Sequence, residues 1–233
     1  MTLSVKKIGI IGLGLIGGSI ARALKRNDKG YIIKAWDKDI KNLEAGLSEN
    51  ALDEYALSLK DDFVDCDVIF LCIPVFAMKE ILNELLTNIS PKSILTDVGS
   101  TKSDVVALIN ELKVKNPFVG GHPLAGSEKS GFTASRANLF ENAYYCLTPT
   151  ENIDKESLNK LRDIVNDLGA IPVEMTPTEH DRVTAAISHV PHVIAASLVN
   201  LIDDLDSPDH IMKTISAGGF KDITRIASSS PSL

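Results

Sequence analysis

The stretch VKKIGIIGLGLIGGSIAR, from Val5 to Arg22, decides the fold. Ile8, Ile10 and Ile11 make a short apolar run suited to a buried strand. Gly12, Gly14 and Gly17 then spell G-x-G-x-x-G, and a helical pattern sets in at Leu15. Each glycine has its own job where a dinucleotide is bound. The first permits the tight turn, the second lets a pyrophosphate approach the backbone, and the third lets helix pack on strand. The N-terminal turn of that helix offers unpaired N–H groups and a partial positive charge to phosphates. A glycine-rich turn alone is a weak signal, because such turns also occur without ligands. Here strand, turn and helix come in the required order, and a second strand, Tyr31 to Trp36, leads into Asp37, twenty residues past Gly17. A carboxylate at that spacing binds the hydroxyls of an adenosine ribose. The cofactor side is expected to comprise Gly12, Gly14, Leu15, Ile16, Gly17 and Asp37, joined by Ile73 and Pro74 at the end of a later strand.

The 233 residues suffice for a substantial core in one large domain, or one and a half. With 44% hydrophobic and 24% charged residues the composition is that of a globular chain. A formal charge of −7 and a pI near 5.2 argue against a general binder of nucleic acid or anionic membrane. An anionic substrate would then need a local cluster of cations. The longest apolar run, Val68 to Met78, covers eleven residues and contains Pro74, well short of a membrane span. The chain enters a strand with no secretory h-region, so the expected location is the cytoplasm. Cys66, Cys72 and Cys146 lack metal-ligand spacing, and Cys72, in an apolar strand, reads as a small buried hydrophobe.

Further along, helical patterns over Lys38–Ser48, Phe76–Leu86 and Ser103–Lys113 alternate with apolar strands at Asp67–Pro74, Ser93–Asp97 and Phe118–Val119. The mixed, polar stretch from Glu49 to Asp65 gives no clear pattern. Ala143–Thr148 reads as a strand, Lys155–Leu168 as a helix and Ile171–Met175 as a strand. This cadence predicts a Rossmann-type α/β fold, a doubly wound and mostly parallel sheet. Ligands of such sheets bind beyond the carboxyl ends of the strands, where the glycine turn, Pro74, Ser100 and His122 all fall. Residues 124–142 form a long polar loop, of a length that is usually functional or mobile. From Pro177 the alternation stops and the chain turns helical. The expected domains are therefore 1–175, which binds the dinucleotide, and an all-helical 176–233.

His122 follows a strand end within GGHPLAGSEKSG. A neutral imidazole there accepts a proton from a substrate hydroxyl while hydride leaves the same carbon. Ser100, on the preceding strand's exit loop, is placed to hydrogen-bond that histidine, the substrate or the nicotinamide. Its alternative is to cap the next helix, for which Ser103 is better placed. In SHVPH, His189 and His192 share a helix face, but no acid or cysteine nearby completes a metal site, so no metal is expected. Pro191 cannot donate to the carbonyl of Ile187, so the helix should kink there. Arg225 can pair bidentately with a carboxylate, its alternative being a surface ion pair. With Lys129 and the histidines it supplies the positive field that an anionic substrate needs.

Taken together, GLGLIGGSIA, TDVGSTK, GGHPLAGSEKSG, SHVPH and GGFKDITRIA resemble the motifs of prephenate and arogenate dehydrogenases, in that family's order and over nearly the whole chain. The resemblance implies oxidative decarboxylation of prephenate to 4-hydroxyphenylpyruvate, or of arogenate to tyrosine, with NAD(P). By motif, His122 is the catalytic histidine on the ring hydroxyl, and Ser100 orients the hydroxyl and the histidine. Arg225 matches the substrate-carboxylate arginine and His189 the substrate-site histidine. Asp37 favours NAD over NADP, since a 2′-phosphate would meet a like charge, although Lys38 and Lys41 lie nearby.

Family members usually carry further helices past the TRIASSSP motif, so the helical segment reads as truncated. Its apolar surface is expected to seek a second copy, giving a homodimer. A β-hydroxyacid dehydrogenase of the 6-phosphogluconate type shares this layout. It relies, however, on a lysine in the first long helix after the sheet domain, and this chain has none between Lys160 and Lys213. A catalytically impaired NAD-binding protein is the alternative from another class.

Overall fold

The computed structural model describes residues 5–150 and 153–228. Among these, β1 (Lys7–Ile11), β2 (Ile32–Trp36), β3 (Glu54–Tyr55), β4 (Val68–Leu71), β5 (Ile94–Asp97), β6 (Phe118–Pro123), β7 (Tyr144–Pro149) and β8 (Ile171–Glu174) form one sheet. Their order is β3-β2-β1-β4-β5-β6-β7-β8. All neighbours pair in parallel except β6 and β7. Helices α1 (Leu15–Asn27), α2 (Ile40–Ser48), α3 (Val75–Leu85), α4 (Ser103–Glu111) and α5 (Lys155–Asp167) connect the strands. The chain leaves β1 to one side through β2 and β3 and returns on its other side with β4. The switch point of this Rossmann-type sheet therefore lies between β1 and β4, beside the glycine turn.

The central strands are largely apolar because successive side chains feed two separate cores. Ile8, Ile10, Val68, Phe70, Ile94 and Val119 pack with Leu24 of α1 and with Leu161 and Ile164 of α5. Ile11, Ile69, Leu71, Leu95 and Phe118 pack on the opposite face with Met78 and Leu82 of α3 and Val105 and Ile109 of α4. Burying each such side chain is worth about 1.5–3 kcal/mol.

One segment departs from the sequence expectation, and two others take a form that the sequence left open. The two-residue strand Phe118–Val119 in fact continues to Pro123, so His122 lies within β6 rather than after a strand. Beyond Val119 the strand leaves its parallel partner β5 and pairs with antiparallel β7, His122 standing opposite Cys146. The Glu49–Asp65 stretch packs Ala51, Leu52, Ala56, Leu59 and Phe63 inward around the short β3. The long loop 124–142 is pinned rather than loose, with Phe132 and Phe140 buried. The Arg22 guanidinium lies 4.4 Å from the Phe132 ring centre, and Arg22 Nε donates to Ser135 Oγ at 2.8 Å. A Cβ at Gly18 would come within 2.8 Å of both Phe132 and Ser135. The glycine after Gly17 thus lets this loop sit on α1.

Contacts divide the chain into two compact units, with the boundary between His180 and Asp181. After α6 (Pro177–Thr184) come a π-helical turn, Ala185–His189, and then α7 (Val190–Leu205), α8 (Ile211–Thr214) and α9 (Gly218–Thr224). The irregularity expected at Pro191 takes the form of that π turn, in which the Val190 N–H donates to the Ala185 carbonyl. A wider turn accommodates the pyrrolidine ring, which would otherwise meet the carbonyl four residues back. The helical run Pro177–Leu205, 29 residues, is long and apolar enough to cross a membrane by length and composition alone. Polar residues such as Arg182, His189 and Asn200 interrupt it, so no uninterrupted apolar run marks it in the sequence. Ile187, Val193, Ile194, Leu201 and Leu205 are exposed along it.

Candidate active site

At the end of β1 the glycines divide their work as their spacing predicts. Gly12 turns the chain with φ +96°, and its N–H donates to the Trp36 carbonyl at 2.7 Å. A Cβ there would collide with the Cys72 carbonyl oxygen, and one on Gly17 would collide with the carbonyl oxygen of Gly12. Gly14 is different: a Cβ on it would meet nothing within 4 Å. It occupies the cap position of α1, whose first turn has no side-chain cap and no acidic residue. The N–H groups of that turn, from Leu15 and Ile16 onward, are thus left for an outside acceptor. Asp37 braces the same turn, Oδ2 accepting from the Leu13 N–H at 2.6 Å and Oδ1 from the Asp39 N–H at 2.8 Å. A carboxylate with about four acceptor sites keeps capacity for hydroxyl donors. Open backbone, uncapped helix and braced acid fit a dinucleotide.

The exit loops of the next strands close up against this turn. Ile73 Cγ2 would lie 2.9 Å from a Cβ on Gly12, and Val75 Cγ2 lies 3.2 Å from the corresponding point on Gly99. Pro74, exposed, occupies the cap position of α3. Cys72, just past β4, is partly buried and packs against the core, and burial pushes its thiol up. Ser100 is exposed in the loop after β5. The cap position of α4 is held by Lys102 rather than Ser103, with no side-chain cap hydrogen bond, and the lysine side chain is buried.

That lysine makes the joint of the site. Lys102 and Asp97 are both fully buried and form an ion pair. Lys102 Nζ also donates to the Gly121 carbonyl at 2.8 Å, while Asp97 accepts from the N–H groups of Gly99 at 2.8 Å and Gly121 at 3.1 Å. Burial pushes the Asp97 carboxyl up, and the ammonium and both N–H donors pull it the other way. A Cβ on Gly120 would collide with Thr148 Oγ1, and one on Gly121 would lie 2.5 Å from the Asp97 carbonyl oxygen. The glycine pair therefore lets β6 press against β5 and β7. Together these contacts fasten the Ser100 loop to the residue preceding His122. TDVGSTK had stood out in the sequence, but nothing in it marked the pairing of its aspartate with its lysine.

His122 is partly exposed, and its Nδ1 lies 2.8 Å from Nε2 of His180, with the rings edge-on at 69°. His180 is fully buried and escaped the sequence analysis. Its signal was the TPTE preceding it, a capping box that fixes the start of α6. The Thr176 N–H donates to Glu179 Oε2 at 2.9 Å and the Glu179 N–H to Thr176 Oγ1 at 3.2 Å. With Pro177 as the first helical residue, the His180 N–H reaches the Thr176 carbonyl at 2.9 Å. Lys129 is exposed in the first unit, and His189 and Arg225 are exposed in the second. The structure thus gathers Gly12, Gly14, Gly17, Asp37, Ile73, Pro74, Ser100 and His122 along one sheet edge.

Comparison with known proteins gives this edge a context. Residues 20–174 match the family described as prephenate dehydrogenase, nucleotide-binding domain, and residues 176–233 the one described as prephenate dehydrogenase, dimerization domain. A prephenate dehydrogenase of Bacillus subtilis is 43% identical over 96% of the chain, which spans 61% of that relative's length. A cyclohexadienyl dehydrogenase of Zymomonas mobilis is 33% identical, covering 98% of this chain and 78% of its own. Among solved structures, the prephenate dehydrogenase of A. aeolicus in complex with hydroxyphenyl propionate and NAD+ superposes with a TM-score of 0.89 at 35% identity. That match covers 99% of this chain and 81% of that one. The arogenate dehydrogenase of Synechocystis gives 0.86 at 34%, over 97% and 81%. The chain belongs to the prephenate dehydrogenase family.

Proposed function

We propose that this chain carries out the NAD-dependent oxidative decarboxylation of prephenate to 4-hydroxyphenylpyruvate, a step of tyrosine biosynthesis. One observation carries the reading: His122 and the Gly12–Gly17 turn share the carboxyl-terminal edge of a single sheet. The names of the relatives support it. Gly12, Gly14, Leu15, Ile16 and Gly17 hold the pyrophosphate, Asp37 the adenosine ribose, and Ile73 and Pro74 flank the cofactor. NAD, when bound at this turn, would supply the acceptor for hydride from the ring carbon that carries the hydroxyl. His122 Nε2 receives the hydroxyl proton as that hydride leaves, which relieves the positive charge building on the carbon. The electrons of the breaking ring–carboxylate bond then enter the ring, carbon dioxide departs, and the oxygen regains its proton from His122 as the ring becomes aromatic. Ser100 orients the hydroxyl. Arg225 binds a substrate carboxylate and His189 serves the substrate site, assignments resting on the family motifs they occupy, while Lys129 adds to the positive field for an anionic substrate.

Residues 1–175 serve the cofactor in this reading and 176–233 the substrate and a second copy, so that the working form is a cytoplasmic homodimer. The dimerization-domain match and the exposed apolar residues of the second unit support that assembly. The test is the appearance of NADH from prephenate and from arogenate, each offered with NAD and with NADP. Prephenate with NAD should be fastest. Turnover of arogenate alone would move the substrate assignment, and turnover of neither would overturn the proposal.

A further inference from the structure

We propose that His180 is a positioning residue that fixes the tautomer of His122, so that the nitrogen facing the substrate is the basic one. The inference rests on the functional reading above for its catalytic meaning, and on geometry for the pairing itself. Two imidazole nitrogens 2.8 Å apart share one proton. With no proton between them two lone pairs would face each other; with two, the hydrogens would collide. Which ring carries the proton decides the chemistry at the far nitrogen of His122. If His180 donates, His122 Nδ1 is the acceptor, its Nε2 carries the remaining hydrogen, and no base faces the substrate. If His122 donates from Nδ1, its Nε2 keeps a free lone pair. Only the second arrangement serves proton abstraction.

Three features make His180 the group that sets this choice. It is fully buried, so bulk water does not compete for His122 Nδ1 on that side, whereas His122 itself is partly exposed. It is anchored by the capping box that starts α6, through its own N–H to the Thr176 carbonyl. Its contact also strengthens along the reaction. Once His122 Nε2 has received a proton, the ring is a cation, and its Nδ1–H donation to His180 becomes a charge-assisted hydrogen bond, roughly twice as strong as a neutral one. Such an interaction favours the transition state over the ground state, and its loss should appear in kcat rather than in binding.

The experiment is ring-nitrogen NMR on this chain, which distinguishes a protonated from an unprotonated imidazole nitrogen, paired with kinetics of two variants. The wild-type spectrum should show His122 protonated at Nδ1 and unprotonated at Nε2. His180→Leu, which removes the acceptor at similar volume, should abolish that preference and lower kcat by about 10²-fold or more. The Kd for NADH should stay within about twofold, since the turn that binds it is untouched. His180→Gln, which returns an acceptor oxygen near the lost Nε2, should restore kcat to within about tenfold of wild type. A wild-type His122 protonated at Nε2, or a folded His180→Leu with wild-type kcat, would overturn the proposal. If His180→Leu does not fold, His180→Gln and the wild-type spectrum still decide it. A wild-type chain with the expected tautomer that oxidises neither prephenate nor arogenate would overturn the functional reading and leave the pairing standing.

Discussion

Replacing Lys102 by Met should destabilise the first unit by about 3–5 kcal/mol, the usual effect of removing one partner of a buried ion pair. Both side chains are fully buried, and Met keeps most of the lysine's apolar volume, so packing changes little. What is lost is the ammonium beside Asp97 and its hydrogen bond to Gly121, the latter worth about 0.5–1.5 kcal/mol. Asp97 is left with the Gly99 and Gly121 N–H groups alone. Its carboxyl, already pushed up by burial, should then hold a proton in the folded state at a pH where the unfolded chain, with a carboxyl pKa of about 3.9, has lost it. The native state binds more protons in that window, so the variant should lose stability as pH rises above about 4. Thermal unfolding followed by circular dichroism at pH 5 and pH 8 reads both effects, and the midpoint should fall by about 6–20 °C at pH 8. Adding Asp97→Asn removes the orphaned charge and should recover most of the loss. If Lys102→Met lies within about 1 kcal/mol of wild type, or the double variant is no more stable than the single one, the pair does not fasten β5 to β6.

The glycines separate stability from binding. Gly17→Ala should fail to fold properly, because its Cβ would collide with the Gly12 carbonyl oxygen. Gly14→Ala, with open space around its Cβ, should unfold at the wild-type temperature yet bind NADH at least about tenfold more weakly, by fluorescence titration. Burial pushes the Cys66 thiol up to about 12 and raises that of Cys146. Both should therefore resist Ellman's reagent at pH 8 in the folded protein and react once it is denatured; rapid native labelling of Cys66 would contradict its burial.

The sequence and the structure part company for physical reasons. The Rossmann-type sheet was legible because Ile8–Ile11 and Val68–Leu71 are apolar on both faces, a pattern that only strands covered on two sides require. Gly12 and Gly17 were legible because each answers a local steric demand, and Gly14 because its spacing from them completes the turn that a pyrophosphate approaches. The extension of β6 to Pro123 was not, since it depends on an antiparallel partner, β7, that begins at Tyr144, 22 residues beyond His122. The Asp97–Lys102 pair was hidden for a different reason: charged residues five apart read as an ordinary solvated loop until the sheet buries them. His180 sat in plain view behind a capping box. What its sequence context lacks is any hint that α6 would bring it to His122, 58 residues earlier. Motif order therefore pointed to His122 and Ser100 as candidates, while Asp97, Lys102 and His180 emerged only from tertiary packing.

The most direct test of the account is the rate of NADH formation from prephenate by wild type and His122→Asn, measured with the NADH affinity of each. Wild type should turn over, kcat of the variant should fall by about 10²–10⁴-fold, and the two should bind NADH nearly equally. Wild-type turnover in His122→Asn would contradict it.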